Sequence, residues 1–263
     1  MTGQKILYAV IGLAVGALAG FYFANSANRK ELDNLRAELT RAKSSPQQQQ
    51  QSPNDARNVA PSSSASGGAQ QQMPSEQEIR DLIAKADARS DDGDYQQKVG
   101  KGVYMYSLAQ NAPALMPEAI RLLTRAEAAD PKNFQTLLLL GNANFALAQD
   151  GDAHRYADAR AYYQRAVELK PDDSDAHTLL GMTYYFASPS DPQRAIAEYR
   201  KTLAKDPRHE MALQNISSAL IAAGALREAE QRIGELEKVN PNNNKLANLR
   251  AQLAQAKNAQ GGK

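Results

Sequence analysis

The order of apolar and polar residues divides the chain into a membrane-like segment and a helical region. Residues 6–24 read ILYAVIGLAVGALAGFYFA and carry no charge. A helix of that length spans about 28 Å, close to the ~30 Å hydrocarbon core of a bilayer. From residue 74 onward, apolar residues recur at helical spacing, without the alternation typical of strands. The pattern predicts an all-α chain in which a single N-terminal transmembrane helix precedes a domain of amphipathic helices.

The first apolar segment is interpreted as a retained anchor. It is longer than the apolar core of about 7–15 residues in a cleaved signal peptide, and it ends in aromatic residues typical of a membrane interface. Gly12, Gly16 and Gly20 recur at every fourth position, which places them on one helix face. Small residues on one face let two membrane helices approach closely. These glycines are candidates for helix self-association, although glycine is also common in membrane helices generally.

Residues 28–43 predict a short amphipathic extension of the anchor, because Leu32, Leu35, Leu39 and Ala42 follow heptad spacing. Two interpretations remain open: the extension forms a coiled coil within a homodimer, or it is a solvated helix. Residues 44–74 then contain eight Gln, seven Ser, four Pro and two Gly. Such a segment buries too little apolar surface to fold, so it is predicted to be a disordered tether with an end-to-end distance of about 30 Å.

The distribution of basic residues around the anchor predicts its orientation. Only Lys5 precedes the span, whereas five basic residues follow it closely: Arg29, Lys30, Arg36, Arg41 and Lys43. Because basic residues are enriched on the cytoplasmic side, this count favours a single-pass protein of the plasma (inner) membrane with its domain in the cytoplasm. A periplasmic domain is the alternative.

The helical region contains a repeating unit. Four prolines end successive segments at intervals of 40, 36 and 34 residues: Pro131, Pro171, Pro207 and Pro241. Two units, which begin at Phe134 and at Ser174, share a Leu-Gly pair followed, in their second halves, by an alanine and a tyrosine four residues apart. The matching residues are Leu140-Gly141 with Ala159 and Tyr163, and Leu180-Gly181 with Ala195 and Tyr199. A further unit from Glu210 contains Leu213, Ala229 and Ile233, and the unit before Pro131 keeps Ala119 and Leu123 after a degenerate first helix.

These units resemble the tetratricopeptide repeat (TPR), a helix-turn-helix of about 34 residues. The whole chain resembles a bacterial membrane-anchored TPR protein. The resemblance implies a solenoid over residues 75–258, with about four helix pairs between N- and C-terminal capping helices, and a frayed tail at 259–263. Extra residues at 149–156 and 188–192 are predicted to be loops that leave the stacking intact.

Composition narrows the candidate chemistry. The net charge is +2, and residues 75–263 hold 24 basic against 25 acidic residues, so no nucleic-acid partner is predicted. The chain has no cysteine, and His154, His177 and His209 have no ligand-like spacing, which predicts surface or capping roles for them. The acidic run at 91–94 is interpreted as a helix stop and start. The sequence therefore predicts neither an enzyme nor a metal or cofactor site.

The TPR resemblance implies a protein or peptide ligand in a concave groove lined by the first helix of each pair. The residues at the family's groove positions, or beside them, are Leu138, Asn142, Phe145, Thr178, Met182, Tyr185, Phe186, Gln214, Ser218 and Ile221. Packing between repeats is an alternative role for Phe145, Tyr185 and Ile221. Leu138 and Met211 occupy places where an acid-binding subset of the family has lysines. An apolar or amphipathic segment is therefore expected instead of an acidic tail.

Two function classes follow from this interpretation. In the first, the protein is a membrane-tethered scaffold or assembly factor that recruits a partner through the groove. In the second, it is a chaperone-like accessory of envelope protein maturation, the role that some family members have in cytochrome c biogenesis.

The orientation prediction is tested by fusing alkaline phosphatase after Lys43. This reporter folds to its active form outside the cytoplasm, so the Lys and Arg count predicts low activity. β-Galactosidase fused at the same residue is the control and should be active. High phosphatase activity with an inactive β-galactosidase would instead place the domain in the periplasm.

Overall fold

The computed structural model describes residues 74–261, which form ten α-helices. Among these residues there is no strand, so the all-α prediction is confirmed for the repeat region. The helices are α1 (Glu76–Asp87), α2 (Gly93–Ala109), α3 (Met116–Ala129), α4 (Phe134–Gln149), α5 (Arg155–Leu169), α6 (Ser174–Phe186), α7 (Pro192–Lys205), α8 (Glu210–Ala222), α9 (Leu226–Val239) and α10 (Leu246–Gly261). A 3₁₀ turn at Pro113–Leu115 leads into α3.

The helices are organised as four pairs between two single helices. The pairs are α2/α3, α4/α5, α6/α7 and α8/α9, and the second helix of each pair also packs against the first helix of the next. Helix α1 packs on the first pair, and α10 packs on α9 and α8. The result is a TPR-like solenoid in which buried apolar residues continue from pair to pair.

None of the helices formed by residues 74–261 combines the length and apolarity needed to cross a bilayer. The predicted anchor at 6–24, its glycines Gly12, Gly16 and Gly20, the extension at 28–43 and the tether lie outside the described residues, apart from the tether's last residue. They stay predictions.

The proline turns fix where each pair ends and the next begins. In every turn the residue before the proline accepts a backbone hydrogen bond from the residue three positions later. The N···O distances are 3.2 Å from Asn133 to Asp130, 3.1 Å from Asp173 to Lys170, 3.1 Å from His209 to Asp206, and 3.1 Å from Asn243 to Asn240. Asn133, Asp173 and His209 then cap the following helix by accepting a hydrogen bond from its third backbone N–H. The helices α4, α6 and α8 consequently begin at the predicted residues.

Within a pair, a glycine on the first helix lies against a tyrosine ring on the second. A Cβ atom added to Gly181 would lie 2.6 Å from Cε1 of Tyr199, and one added to Gly141 would overlap the Tyr163 ring in the same way. Both tyrosines are fully buried. The two helices can therefore approach to this distance only because the first helix has no side chain at the contact.

The first pair has the same kind of close contact at a glycine, which the sequence interpretation missed. Helix α2 was predicted to be degenerate, but Gly100 lies against α3, where an added Cβ atom would be 2.9 Å from Cγ of Leu123. In the last pair the matching residues are Ser217 and Ile233, and the Ser217 hydroxyl donates to the Leu213 carbonyl oxygen at 2.7 Å. A smaller side chain on the second helix thus leaves room for a hydroxymethyl group on the first.

The segment 149–156, predicted to be a loop that leaves the stacking intact, is a loop only in part, and α5 still packs against α4 and α6. Tyr156, its last residue, belongs to the first turn of α5 and is buried. Its ring contacts Phe145 edge-to-face, with 5.4 Å between the ring centroids. The inserted segment therefore contributes an aromatic ring to the core between α4 and α5, in addition to forming a turn.

The two ends of the solenoid are capped as predicted, with one difference. Ser75 and Glu78 form a capping box at the start of α1. At the other end, α10 buries Leu246, Leu249 and Leu253, but it continues to Gly261, so the tail predicted to fray from residue 259 is helical to that point. The last turns are held by Lys257, whose Nζ lies 2.8 Å from a carboxylate oxygen of Glu230, and by Gln260, which donates to the Gly224 carbonyl oxygen at 3.4 Å.

The glycine contact yields a prediction with a matched control. Gly181→Ala should lower the free energy of unfolding by about 1–3 kcal/mol, because the new methyl group overlaps the Tyr199 ring. Gly234→Ala should instead be neutral or stabilise by up to about 1 kcal/mol, since no atom lies within 4 Å of its added Cβ and alanine favours the helix. Urea unfolding followed by circular dichroism measures both. Equal effects of the two substitutions would show that the contact does not limit helix spacing.

Candidate functional site: the groove face

Eight of the predicted groove residues lie on α4, α6 and α8 and are half-buried. They are Leu138, Asn142, Met182, Tyr185, Phe186, Gln214, Ser218 and Ile221, and together they are called the groove face below. None of these eight side chains carries a charge. The face therefore offers apolar and neutral polar groups that are partly accessible on three neighbouring pairs.

The apolar residues of the groove face are supported from below by the core. Met182 packs against two buried clusters at once, one containing Phe145 and the other containing Leu213. Leu138 similarly joins the cluster of Phe145 to a third cluster, and Ile221 packs on the cluster of Leu213. Each of these side chains is thus positioned by core contacts while part of its surface stays exposed.

A series of aromatic contacts joins the groove face to the interior. Phe145 contacts Tyr156 on one side and Phe186 on the other, and Phe186 contacts Tyr185. The centroid separations of the last two pairs are 6.0 and 5.1 Å, and both are edge-to-face. Phe145 itself is 9% exposed, so it acts mainly in packing, whereas Tyr185 and Phe186 are half-buried.

The amide of Asn142 is oriented by a residue of the paired helix. The Tyr163 hydroxyl donates to Oδ1 of Asn142 at an O···O distance of 2.7 Å. This bond places the oxygen of the side-chain amide toward the core and leaves the Nδ2 hydrogens as donors. On α8, the Ser218 hydroxyl and the Gln214 side chain make only long contacts of 3.4 and 3.5 Å, to the Gln214 carbonyl oxygen and to Asn243.

Thr178 does not belong to the groove face, which corrects its predicted place. Its side chain is fully buried. Its hydroxyl donates to the Ser174 carbonyl oxygen at 2.8 Å and lies 3.0 Å from the hydroxyl of Thr202 on α7. The residue therefore joins the two helices of a pair, and a ligand cannot reach it without opening that contact.

His177 is also placed differently from its predicted surface or capping role. The ring is buried, with Nδ1 2.7 Å from a carboxylate oxygen of Glu198 and Nε2 2.9 Å from the Pro171 carbonyl oxygen. Lys201 lies 2.9 Å from the other carboxylate oxygen of Glu198. Because these contacts join α6, α7 and the proline turn before them, the group is structural.

His209 caps α8, as the sequence suggested, and also links two pairs. Its Nδ1 accepts from the Ala212 backbone N–H at 3.2 Å, so Nε2 carries the proton that is donated to Asp175 at 3.0 Å. This hydrogen bond lowers the pKa of Asp175 below its ordinary value. Asp175 is thereby held ionised, and it pairs with His209 in the next proline turn.

The acidic run at 91–94 functions as a helix start, because the Asp92 side chain accepts from the Tyr95 backbone N–H at 3.0 Å. Across residues 74–261, no group of three or more His, Asp or Glu side chains is arranged to hold a metal ion. The groove face is therefore the feature of the described solenoid with the clearest capacity to bind another molecule.

Comparison with known proteins assigns the repeats. The family model described as tetratricopeptide repeat matches residues 188–253. Among curated relatives, the type IV pilus assembly protein PilF of Pseudomonas aeruginosa is 35% identical over 77 residues, which cover 29% of this chain and 30% of PilF. The photosystem I assembly protein Ycf3 of Prochlorococcus marinus is 33% identical over 72 residues, covering 27% of this chain and 40% of Ycf3. The aligned part is thus less than half of either relative.

A solved structure extends the similarity over more of the chain. The crystal structure of MamA superposes with a TM-score of 0.52 at 26% identity, covering 62% of this chain and 87% of MamA. MamA of Desulfovibrio magneticus gives the same TM-score at 17% identity, which shows the fold alone. With the proline turns and glycine–tyrosine contacts described above, residues 188–253 thus match the tetratricopeptide repeat, and the described solenoid shares its helical-repeat fold with MamA.

Proposed function

We propose that this protein is a membrane-tethered scaffold or assembly factor that holds a segment of a partner protein on its groove face. TPR domains bind protein or peptide partners. The observation that carries the proposal is the row of half-buried apolar residues on three adjacent first helices, represented by Leu138, Met182 and Ile221. Burial of such a row by a ligand removes apolar surface from water without first unfolding any helix.

The groove face favours a ligand that is apolar or amphipathic. Its neutral side chains offer no cation for an acidic tail, and Leu138 stands where an acid-binding groove would have a lysine. Met182 is unbranched and flexible, so it adapts to the shape of the side chain that it meets. Asn142 adds an oriented amide donor that fits a carbonyl oxygen of the bound segment.

The relatives support a role in assembly. PilF and Ycf3 are both named as assembly proteins, although each is matched over only a part of its length. The proposal extends that role to this chain, with the tether supplied by residues 6–24 and the domain on the cytoplasmic side of the plasma (inner) membrane. A scaffold of this kind would keep its partner within reach of the bilayer while the groove selects the partner's sequence.

The groove assignment is tested by a triple variant in which Leu138, Met182 and Ile221 are all replaced by serine. Cross-linking in membranes followed by affinity purification should recover the partner with the wild-type chain and at least tenfold less with the variant, because the apolar contact surface is lost. The matched control replaces Leu108 and Leu169, large apolar residues that are 39% and 38% exposed outside the groove face, by serine. It should retain the partner.

Two outcomes would contradict the proposal. Equal loss of partner in the triple variant and its control would mean that the groove face is not the binding surface. Suppression of aggregation for many unrelated clients, with no partner selected, would favour the chaperone-like alternative. Circular dichroism of both variants establishes that their helices are intact.

A single substitution separates binding from packing. Tyr185→Ala should weaken partner binding roughly 30-fold, since an aromatic hot-spot residue contributes about 2 kcal/mol and each tenfold change in affinity corresponds to about 1.4 kcal/mol. Phe145→Ala is the comparison, because its buried ring should cost about 3–5 kcal/mol of folding stability. If Tyr185→Ala keeps the wild-type affinity and loses as much stability as Phe145→Ala, then Tyr185 is a packing residue.

A further inference from the structure

Tyr163 and Tyr199 occupy the same place in successive pairs, but only one of them has a hydrogen-bond partner. Each ring lies under a glycine of the first helix, Gly141 or Gly181. The Tyr163 hydroxyl donates to Asn142, the residue that follows its glycine. The Tyr199 hydroxyl is fully buried and has no partner. An unpaired buried hydroxyl is unusual in a folded protein and calls for an explanation.

The sequence difference next to the glycine accounts for the unpaired hydroxyl. Met182 follows Gly181, at the position that Asn142 has after Gly141. A thioether sulfur is only a weak acceptor, so Met182 does not replace the amide oxygen. Burial and the neighbouring Tyr185 raise the pKa of Tyr199 well above its ordinary value, so the hydroxyl keeps its proton and remains a donor.

The residues around this hydroxyl belong to the groove face. Met182 and Tyr185 pack against the cluster that contains Tyr199, and both are half-buried. The Met182 side chain has three rotatable bonds, so it can change rotamer without moving the helix. The matching residue Asn142 lies within hydrogen-bond distance of the Tyr163 hydroxyl, so a change of the Met182 rotamer would open the Tyr199 hydroxyl to the groove face.

We propose that Tyr199 is a specificity-determining residue of the groove, and that its hydroxyl donates a hydrogen bond to a main-chain carbonyl oxygen of the bound segment once Met182 has moved aside. The proposal rests on the function proposed above and adds a defined polar contact to it. A neutral acceptor fits, because Met182, Tyr185 and Ile221 are uncharged and a buried carboxylate would lose its hydration without a cation to pair with. The ligand is thus a segment with an apolar side chain and an accessible carbonyl oxygen.

The experiment uses the full chain in detergent micelles and a peptide probe. Random 16-residue peptides displayed on phage are selected on the wild-type chain. A clone is kept if it fails to bind the triple variant that carries serine at positions 138, 182 and 221, and its peptide is then synthesised. Affinities and melting temperatures are measured for the wild type and for Tyr199→Phe, and the melting temperature is also measured for Tyr163→Phe, whose hydroxyl is already bonded to Asn142.

Tyr199→Phe should weaken peptide binding about fivefold to tenfold, the range expected for a lost neutral hydrogen bond. Its melting temperature should stay unchanged or rise, because the free protein loses only an unpaired hydroxyl. Tyr163→Phe should differ in stability, with a melting temperature lower by about 2–4 °C, because the free protein loses a hydrogen bond that it already makes.

A peptide that binds wild type and Tyr199→Phe equally would overturn this inference while leaving the groove assignment standing. Failure to select any groove-dependent peptide would count against both. A ligand-free test is also decisive. Met182→Asn supplies the acceptor that Asn142 supplies to Tyr163, so Tyr199→Phe should lower the melting temperature by about 2–4 °C in the Met182→Asn background but not in the wild type. Equal effects of Tyr199→Phe in the two backgrounds would mean that the hydroxyl does not point toward position 182, and the inference would fail.

Discussion

The close approach of the two helices in each pair is the constraint on which the rest of the solenoid depends. In the central pairs a tyrosine ring lies directly against a helix backbone, which is feasible only where glycine removes the Cβ atom. That contact sets the distance between first and second helices. It also decides which residues of the first helix are buried in the pair and which are left for the groove face. Gly181 and Met182 are adjacent in sequence, but the first meets the ring while the second stays half-exposed.

Much of this architecture follows from local sequence signals. The proline turns and their capping side chains place the starts of α4, α6 and α8 correctly, because a cap acts over only three or four residues. The same locality explains the errors. Helix α10 extends to Gly261 through contacts with Glu230 and Gly224, which lie far from it in sequence. Tyr156 was assigned to a loop because its partner Phe145 lies on another helix, and turn-like neighbours dominate the local pattern.

The sequence could predict the groove face where a residue's position within the repeat decides whether its side chain is exposed. Thr178 shows where that rule fails, because its hydroxyl pairs with Thr202, a residue 24 positions later that carries no signal of its own. Whether the Tyr199 hydroxyl has a hydrogen-bond partner likewise depends on other residues, because Met182, which follows Gly181, offers no strong acceptor. A sequence pattern identifies which side chains share a helix face, but whether a buried polar atom finds a partner is decided by three-dimensional contacts.

The turns between pairs are alike, whereas the turns within pairs differ from one pair to the next. This difference bears on function. At the edge between pairs, every proline turn has the same hydrogen bond, so the stacking is held constant. At the opposite edge the turn within each pair varies, and the first helices α2 and α4 have 17 and 16 residues, whereas α6 and α8 have 13 each. Residues contributed there, such as Tyr156, reach Phe145 and through it Phe186 on the groove face. Variation at one edge can thus reshape the binding surface without disturbing the repeat register. This separation lets a repetitive scaffold carry a groove whose chemistry differs from pair to pair.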